Sequence, residues 1–515
     1  MESIRIKNFR SLQDTGNIEL KPITVAVGKN SAGKSTFLRT FPLFKQSVEE
    51  RIKTPILLYS RNGVDFGSYK DVKSIFAKDE EFLEFDFLFK DVILDRKFRR
   101  LGSRKGSVST DLNISMKIDS DVIDVPKLKV LELSFFDNIV EIHFEMSKNN
   151  LIHKITINEK EIKFEHKLSF FNRGLIIDRL IFKDNKKEFR YDLEDYSQNE
   201  MFRLIEEKVR KGTSAEKINL ILKQVSTLNT KEEFLLKMKS LKKPTTWATK
   251  IDKLNDKSDY LNEFYELVIL NHLEEVLSIT NNYMRETFHR VKYIAPIRAT
   301  AERYYRIQDL SVDEVDAHGQ NLPMFLGSLS SRMLERFQAW TEEHFSFKVK
   351  IKPIEGHYSI KILYSNGFEV NISDMGFGYS QILPIITQIW YSTVQAGRMI
   401  NPRMRDIPTI FVIEQPELHL HPEFQAKFAD VIIKVINDIK ERNINIKFII
   451  ETHSQTLINR FGANISKKII SKNDINIIIF NKENEGEATR IQSASFDDEG
   501  LLENWPIGFF KPASL

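Results

Sequence analysis

A glycine-rich segment, Gly28–Ser35, constrains this chain more than any other feature of its sequence. It reads Gly-Lys-Asn-Ser-Ala-Gly-Lys-Ser and matches the pattern G-x-x-x-x-G-K-S/T in full. The apolar run Ile23–Val27 precedes the segment, and a helix-forming stretch follows it from Gly33 toward Glu50. Because a phosphate-binding loop needs a strand before it and a helix after it, the sequence predicts a P-loop in an α/β fold.

The chemistry of such a loop predicts ATP and Mg²⁺ as cofactors. Backbone amides and the helix N-terminus surround the β-phosphate, Lys34 is expected to bridge the β- and γ-phosphates, and the Ser35 hydroxyl is expected to bind Mg²⁺. Pro42 is expected to bend or restart the helix. The residues predicted to contact the nucleotide are Gly28, Asn30, Ser31, Ala32, Gly33, Lys34, Ser35 and Thr36.

The magnesium ion of a P-loop site needs a second protein ligand. A carboxylate at the end of a neighbouring apolar strand can reach the metal without a long, flexible tether. Glu414 follows the apolar run Thr409–Ile413 in this way. The sequence therefore predicts Ser35 and Glu414 as the metal ligands.

The middle of the chain differs in character from both ends. The runs Leu131–Phe135, Ile139–Phe144 and Ile152–Ile157 predict a β-meander, and the pattern becomes helical and lysine-rich from about Tyr191 to Arg290. Strand and helix alternate again in the last third, as in a parallel sheet flanked by helices.

Composition excludes several kinds of site. Cysteine is absent from all 515 residues, which excludes disulfides, thiolate zinc sites and cysteine nucleophiles. No apolar run approaches the ~18 residues that cross a bilayer, and the N-terminus lacks a signal-peptide block, so we expect a cytoplasmic protein without membrane contact.

The charge of the chain is informative only locally. The formal net charge is +4, but the segment Lys208–Lys257 has thirteen basic residues against five acidic ones. A surface of this kind either contacts the phosphates of a nucleic acid or is simply a solvated face.

Taken together, the motifs resemble the SMC/RecF-related ABC ATPases of the overcoming-lysogenisation-defect (OLD) type. The resemblance covers about residues 1–70 and 290–515. Two shorter segments are similar to prokaryotic members found in antiphage systems, among which the PtuA-type ATPases of Septu and related retron systems are the most similar. The matching segments are Asn8–Ser11, the P-loop, Met375–Pro384, Glu414–Pro422, Glu451–Ser454, Tyr293–Arg298 and Trp505–Phe510.

This resemblance implies a fold and a division into domains. The fold class is α/β, an ABC-type P-loop ATPase head with an antiparallel β lobe and a largely helical insert. The head would comprise residues 1–70 and 291–515. Residues 71–290 would form an inserted β-meander with a helical, lysine-rich region for recognition or docking.

The resemblance also implies further site residues and an ATP-sandwich homodimer or higher oligomer. Arg10 would lie near the adenine, and His453 would be a switch histidine aimed at the γ-phosphate. The catalytic set would be Glu414, Gln415, Glu417 and His453. The signature loop that reaches the partner's nucleotide would include Ser373, Gly376, Gly378 and Ser380.

Gln415 departs from the family pattern. Many ABC ATPases have a glutamate at this position that activates the attacking water, and an amide cannot accept a proton as a carboxylate does. Either Glu417 or substrate-assisted chemistry supplies the base, or hydrolysis is slow and the ATP-bound clamp is the working state. We favour slow hydrolysis, because glutamine orients water in GTPases that turn over slowly without a partner.

The functional prediction is an ATP-binding sensor of an antiphage complex. OLD-type nucleases carry a Toprim domain after the ATPase, and the 62 residues after His453 are too few for one, so no nuclease activity of its own is expected. A separate nuclease subunit, of the HNH kind, would then be the partner, and nucleic acid is a second candidate partner. The alternative is a RecF-like DNA-clamping ATPase in repair or maintenance with no nuclease partner.

Overall fold

The structure is a computed structural model of the chain. It describes residues 1–61, 63–94, 109–146, 150–172, 175–183, 192–242, 244–308, 312–397, 407–442, 444–482, 484 and 486–506. Residues 507–510 of the C-terminal motif lie outside the described residues.

The P-loop belongs to a seven-stranded sheet in which the first five strands are parallel and the last two antiparallel. With strands numbered along the chain, their spatial order is β13 (Val291–Ile294), β18 (Thr409–Glu414), β19 (Ile446–Glu451), β4 (Ile23–Gly28), β20 (Ile475–Asn481), β21 (Arg490–Phe496) and β22 (Leu502–Glu503).

Helices cover both faces of this sheet, which explains why its central strands are apolar throughout. Ala26 and Val412 belong to one core, whereas Val25, Val27 and Phe411 belong to the other. The first core includes α1 (Lys34–Glu49), which continues through Pro42 without restarting. The second core includes α10 (Phe377–Gly397), α11 (Pro422–Glu441) and α12 (Gln455–Ser466).

A nine-stranded antiparallel sheet forms the β lobe, and its strands β7 to β9 confirm the predicted meander. Strand β1 pairs with β5, so this sheet crosses the boundary predicted at residue 70. The strands are β1 (Ser3–Phe9), β2 (Leu12–Asp14), β3 (Ile18–Glu19), β5 (Leu83–Ile93), β6 (Ser109–Ser120), β7 (Pro126–Phe135), β8 (Asn138–Phe144), β9 (Ile152–Ile157) and β10 (Lys160–Ile162).

The segment after the β lobe is helical, as predicted. Its longest helix, α7 (Asp259–His289), is buried along a stripe that includes Leu261, Phe264 and Val268 and packs against α1. The others are α3 (Leu193–Lys208), α4 (Ala215–Val225), α5 (Lys231–Ser240) and α6 (Thr245–Ile251). The division into domains stays a prediction, since one hydrophobic core joins this segment to α1 and β1.

Smaller elements complete the chain, and the predicted α/β fold class is confirmed. Among the described residues, no helix is long and apolar enough to cross a bilayer. The remaining elements are α2 (Tyr69–Val72), α8 (Leu322–Ser328), α9 (Ser331–Phe345), β11 (Lys167–Asn172), β12 (Ile177–Lys183), β14 (Tyr305–Arg306), β15 (Phe347–Ile354), β16 (His357–Tyr364) and β17 (Glu369–Asn371).

Candidate functional site

At two positions, the backbone of the loop between β4 and α1 has a conformation that only glycine adopts easily. Gly28 has φ 153° and Gly33 has φ 92°. A Cβ atom at Gly28 would lie 2.1 Å from the carbonyl oxygen of Phe480, and one at Gly33 would lie 2.8 Å from Ser11 Oγ. Both glycines of the motif are therefore required by close packing of the loop against its neighbours.

Replacing Gly28 with alanine is expected to destabilise the fold. The added methyl group meets a backbone carbonyl that cannot move freely, and φ is positive, so we expect the free energy of unfolding to fall by about 3 kcal/mol. Gly16→Ala is the matched control, because φ is 61° there and no atom lies within 4 Å of the added Cβ. Its expected loss is about 1 kcal/mol in the same urea titration. Equal losses in the two variants would contradict this explanation of the loop.

Lys34 and Ser35 lie at the start of α1 and contact a buried carboxylate. The Lys34 ammonium group donates to the carbonyl oxygens of Gly28 (3.1 Å) and Lys29 (2.7 Å) and lies 3.9 Å from Glu451 Oε1. Ser35 Oγ donates to Glu451 Oε2 at 2.8 Å. Burial lowers the pKa of Lys34, and the charges of Glu451 and Glu417 oppose that shift.

Glu414 has different partners from those predicted for a metal ligand. Arg39 donates to both of its carboxylate oxygens, at 2.8 and 2.9 Å, and the Tyr293 hydroxyl donates to one of them at 2.7 Å. Glu414 is 1% exposed, so this bidentate pair is buried on the carboxylate side. The metal role of Glu414 stays a prediction, and the carboxylate that contacts Ser35 is Glu451.

The register of the sheet explains why the two carboxylates are neighbours. Glu414 and Glu451 are paired residues at the ends of the parallel strands β18 and β19. Burial raises the pKa of Glu451, the negative charge of Glu414 adds to this rise, and Lys34 opposes it. Arg39 pairs with Glu414 and Lys34 lies beside Glu451, so Glu451, bonded to Ser35, is the carboxylate of this pair that suits a divalent cation.

The loops after β18 and β19 are joined by hydrogen bonds. The Gln415 N–H donates to the Glu451 carbonyl at 2.9 Å, and Gln415 has a φ of 44°. Glu417 Oε1 accepts from the backbone N–H of His453 at 2.7 Å. The pKa of His453 is lowered, first by burial and then by the charge of Lys34. The structure thus brings the predicted catalytic residues to the same end of the sheet as the P-loop.

The remaining loop residues differ in exposure. Asn30 and Ser31 are exposed, whereas Ala32 is buried and its carbonyl accepts from Thr489 Oγ1 at 3.0 Å. Thr36 follows Ser35 in the first turn of α1. The Arg10 guanidinium lies over the Phe66 ring, 4.7 Å from its centroid, and donates to the Phe66 carbonyl.

The predicted signature residues lie at the start of α10 and just before it. Gly376 is exposed, and the Gly378 backbone lies close to the His419 carbonyl. Both serine hydroxyls have internal partners: Ser373 donates to Asn371 Oδ1 and Ser380 to the Phe377 carbonyl, each at 2.8 Å. Their predicted contact with a phosphate stays a prediction.

The residues present fit ATP and Mg²⁺. Gly33 at the N-cap of α1 has no side chain that could cap the helix, and the first amides of a helix lack intrahelical acceptors, so an anion can bind them. Lys34 would contact the phosphates, and the Ser35 hydroxyl and Glu451 supply the oxygen ligands that Mg²⁺ prefers. Bound Mg²⁺ would neutralise phosphate charge during transfer to water.

Sequence reasoning gave no role in the site to four residues that hold it together, although three of them lie in segments that carry the family resemblance: Glu451, Arg39, Tyr293 and Arg298. Glu451 carries a readable signal, because it ends an apolar strand just as Glu414 does. The other three act through long-range contacts with Glu414, at separations of 375, 121 and 116 residues. Spacing along the chain cannot reveal such contacts.

Comparisons with known proteins agree with this description. The family described as "AAA ATPase domain" matches residues 1–458. No curated protein matches the sequence.

Solved structures that match include SMC head domains. The head from Pyrococcus furiosus, bound to the C-terminal domain of ScpA, is 13% identical, with 96% of each chain covered and a TM-score of 0.34. The SMC head from Thermotoga maritima is 9% identical, with 95% of this chain and 97% of that chain covered and a TM-score of 0.34. Since the family match extends over most of the sequence and includes the P-loop, Glu414 and Glu451, this chain belongs to the AAA ATPase domain family and is an ATPase of the P-loop type.

Proposed function

We propose that this chain is an ATP-switched regulatory subunit of an antiphage defence complex that controls a separate nuclease of the HNH kind. The motif set supports an affiliation with the PtuA-type ATPases of Septu and related retron systems. One observation carries the switching role: the polar side chains of the site are bonded to groups of the protein itself. Lys34 is bonded to loop carbonyls, Ser35 to Glu451, and Arg39 to Glu414.

These contacts make the site a two-state element. Phosphates and a cation would compete for Lys34 and Ser35, and their release would free Glu451. The Glu451 backbone bonds Gln415, and Glu417 bonds His453, so both loops are tied to the residues that would move. A change at the nucleotide can therefore alter the surface that the loops after β18 and β19 present to a partner.

The proposed dimer places the signature loop of one copy against the nucleotide of the other. Phe377 is 60% exposed at the start of α10, and its ring lies 5.8 Å from that of His419. An exposed aromatic beside exposed Gly376 suits a surface that a second copy covers. ATP would then be bound between the two heads and stabilise the dimer.

Sequencing the neighbouring reading frames, followed by co-expression of the chain with an HNH-type nuclease found there, tests this function. We expect a stable complex by light scattering, with DNA or RNA cleavage that differs between ATP and ADP. A matched complex carrying Lys34→Ala should lose this difference. Absence of any complex, together with ATP-dependent loading of the chain alone on gapped DNA, would contradict the proposal.

Slow ATP turnover is a separate expectation. Because Gln415 cannot act as a base, we expect a turnover below about 0.1 per second for the purified chain, against about 1–1,000 per second for common enzymes. A coupled phosphate-release assay measures it. Rapid turnover that Gln415→Ala abolishes would show that glutamine suffices for fast hydrolysis here and would contradict the prediction.

A RecF-like DNA clamp is the second candidate, and the lysine-rich helices favour it. The exposed lysines from residue 208 to 257 include Lys211, Lys217, Lys223, Lys242, Lys250, Lys253 and Lys257. A surface with this charge can contact nucleic-acid phosphates. Salt-sensitive binding of gapped DNA that requires ATP and no second protein would support this function instead.

A further inference from the structure

Arg298 is a buried arginine whose charge is only partly satisfied. Its side chain is 3% exposed, and Nη2 donates to the Glu414 carbonyl at 2.9 Å. Nε and Nη1 are buried and have no hydrogen-bond partner. Leaving donors of a buried guanidinium unpaired is costly, so this arrangement calls for an explanation.

Glu417 has a carboxylate oxygen that lacks a hydrogen-bond partner. Its Oε1 atom accepts from the His453 N–H, whereas its Oε2 atom is buried without a partner. Burial lowers the pKa of Arg298 to about 10, and the charge of Glu417 is the strongest effect that opposes this lowering. Glu417 follows Glu414 by three residues, and the Arg298 guanidinium contacts the Glu414 carbonyl, so two free donors and one free acceptor of opposite charge belong to one buried region.

The backbone of Arg298 is hydrogen-bonded to α10. The Gln381 side chain, on α10, makes two hydrogen bonds of 3.3 Å with the Arg298 backbone, one to its N–H and one to its carbonyl. Gln381 thus fixes the Arg298 backbone at α10, while the guanidinium reaches the Glu414 carbonyl at the end of β18. Movement of the loop Glu414–Glu417, or a bridging water, would join the free groups.

We propose that Arg298 is a positioning residue for ATP hydrolysis. Its free N–H groups pair with the free oxygen of Glu417. This pair fixes the loop Glu414–Glu417 for attack of water on the γ-phosphate. The inference rests on the catalytic role that the family resemblance implies for Glu417 but not on the nuclease partner. Arg298 itself does not touch the reacting atoms; it acts through Glu417.

Single-turnover hydrolysis by the purified chain tests this role with Arg298→Met, Arg298→Lys, Glu417→Gln and the double variant Arg298→Met/Glu417→Gln. We expect Arg298→Met to slow hydrolysis about thirtyfold, while the affinity for a fluorescent ATP analogue changes less than about threefold. Arg298→Lys should recover part of the rate, because it restores a cation. The hydrolysis rate of the double variant should lie within about threefold of the rate of the slower single variant, since both substitutions break the same contact.

Arg336→Met is the matched control, because Arg336 is an exposed arginine on α9. It should hydrolyse ATP at the wild-type rate. A wild-type rate in Arg298→Met, no effect of Glu417→Gln, or independent effects that multiply in the double variant would each overturn the inference. Should Arg298→Met fail to fold by thermal unfolding, Arg298→Lys measured with and without Glu417→Gln gives the same comparison. Because no nuclease is present, failure here is distinct from failure of the proposed regulatory function.

Discussion

Replacing Lys34 with alanine is expected to lower kcat/KM for ATP by about 1,000-fold, the largest effect of any single change in this chain. Lys34 is 4% exposed and lies between the loop carbonyls and Glu451, so its ammonium group is already placed where phosphate oxygens would arrive. Alanine removes the buried cation of the loop, whereas the other loop lysine, Lys29, is exposed. Fluorescent nucleotide binding and steady-state hydrolysis measure the two parts of the loss.

Lys29→Ala is the matched control for Lys34→Ala. Lys29 is a lysine of the same loop, its side chain is exposed, and only its backbone carbonyl contacts Lys34. We expect its kcat/KM to stay within about threefold of the wild-type value. If the two variants lose activity equally, the loop does not bind phosphate in the way its sequence predicts.

Replacing Glu451 with glutamine is expected to have the second largest effect. Glu451 is the buried carboxylate bonded to the Ser35 hydroxyl, and an amide is a weaker ligand whose NH₂ group repels a cation. We expect hydrolysis at 1 mM Mg²⁺, a chosen assay concentration, to fall by about 100-fold and the Mg²⁺ concentration for half-maximal rate to rise at least about tenfold. A magnesium titration at saturating ATP gives both values.

The variant Glu414→Gln distinguishes the role of Glu414 from that of Glu451, its neighbour at this edge of the sheet. The change breaks a buried bidentate pair with Arg39, so we expect a lower thermal unfolding temperature, with the Mg²⁺ requirement within about threefold of the wild-type value. Glu423→Gln, at an exposed position on α11, should change neither quantity. A strong shift in the Mg²⁺ requirement of Glu414→Gln, with none in Glu451→Gln, would contradict this expectation and support Glu414 as the metal ligand that the sequence predicts.

Local signals in the sequence were sufficient to predict the loop and strands that form the site. The P-loop pattern, the apolar strands before Glu414 and Glu451, and the meander of β7 to β9 all follow from short-range rules of periodicity and glycine placement. The helical stretch from residue 193 to 289 was equally readable. These features depend on neighbours only a few residues apart.

The pairing of charges was not readable in this way. Nothing in the segment around Arg39 indicates that it lies opposite Glu414, or that Ser35 faces Glu451, because strand order brings these residues together. The same holds for the boundary at residue 70, where β1 joins the sheet of the following segment.

The sequence by itself determined that this chain binds nucleotide through a P-loop between a buried strand and a helix, since glycine, lysine and serine at fixed spacing have few other uses. Only the tertiary structure decided which carboxylate contacts Ser35 and which arginines contact Glu414. The physical reason is that β18 and β19 lie side by side in parallel register, so residues hundreds of positions from the P-loop share one buried, strongly charged space with it.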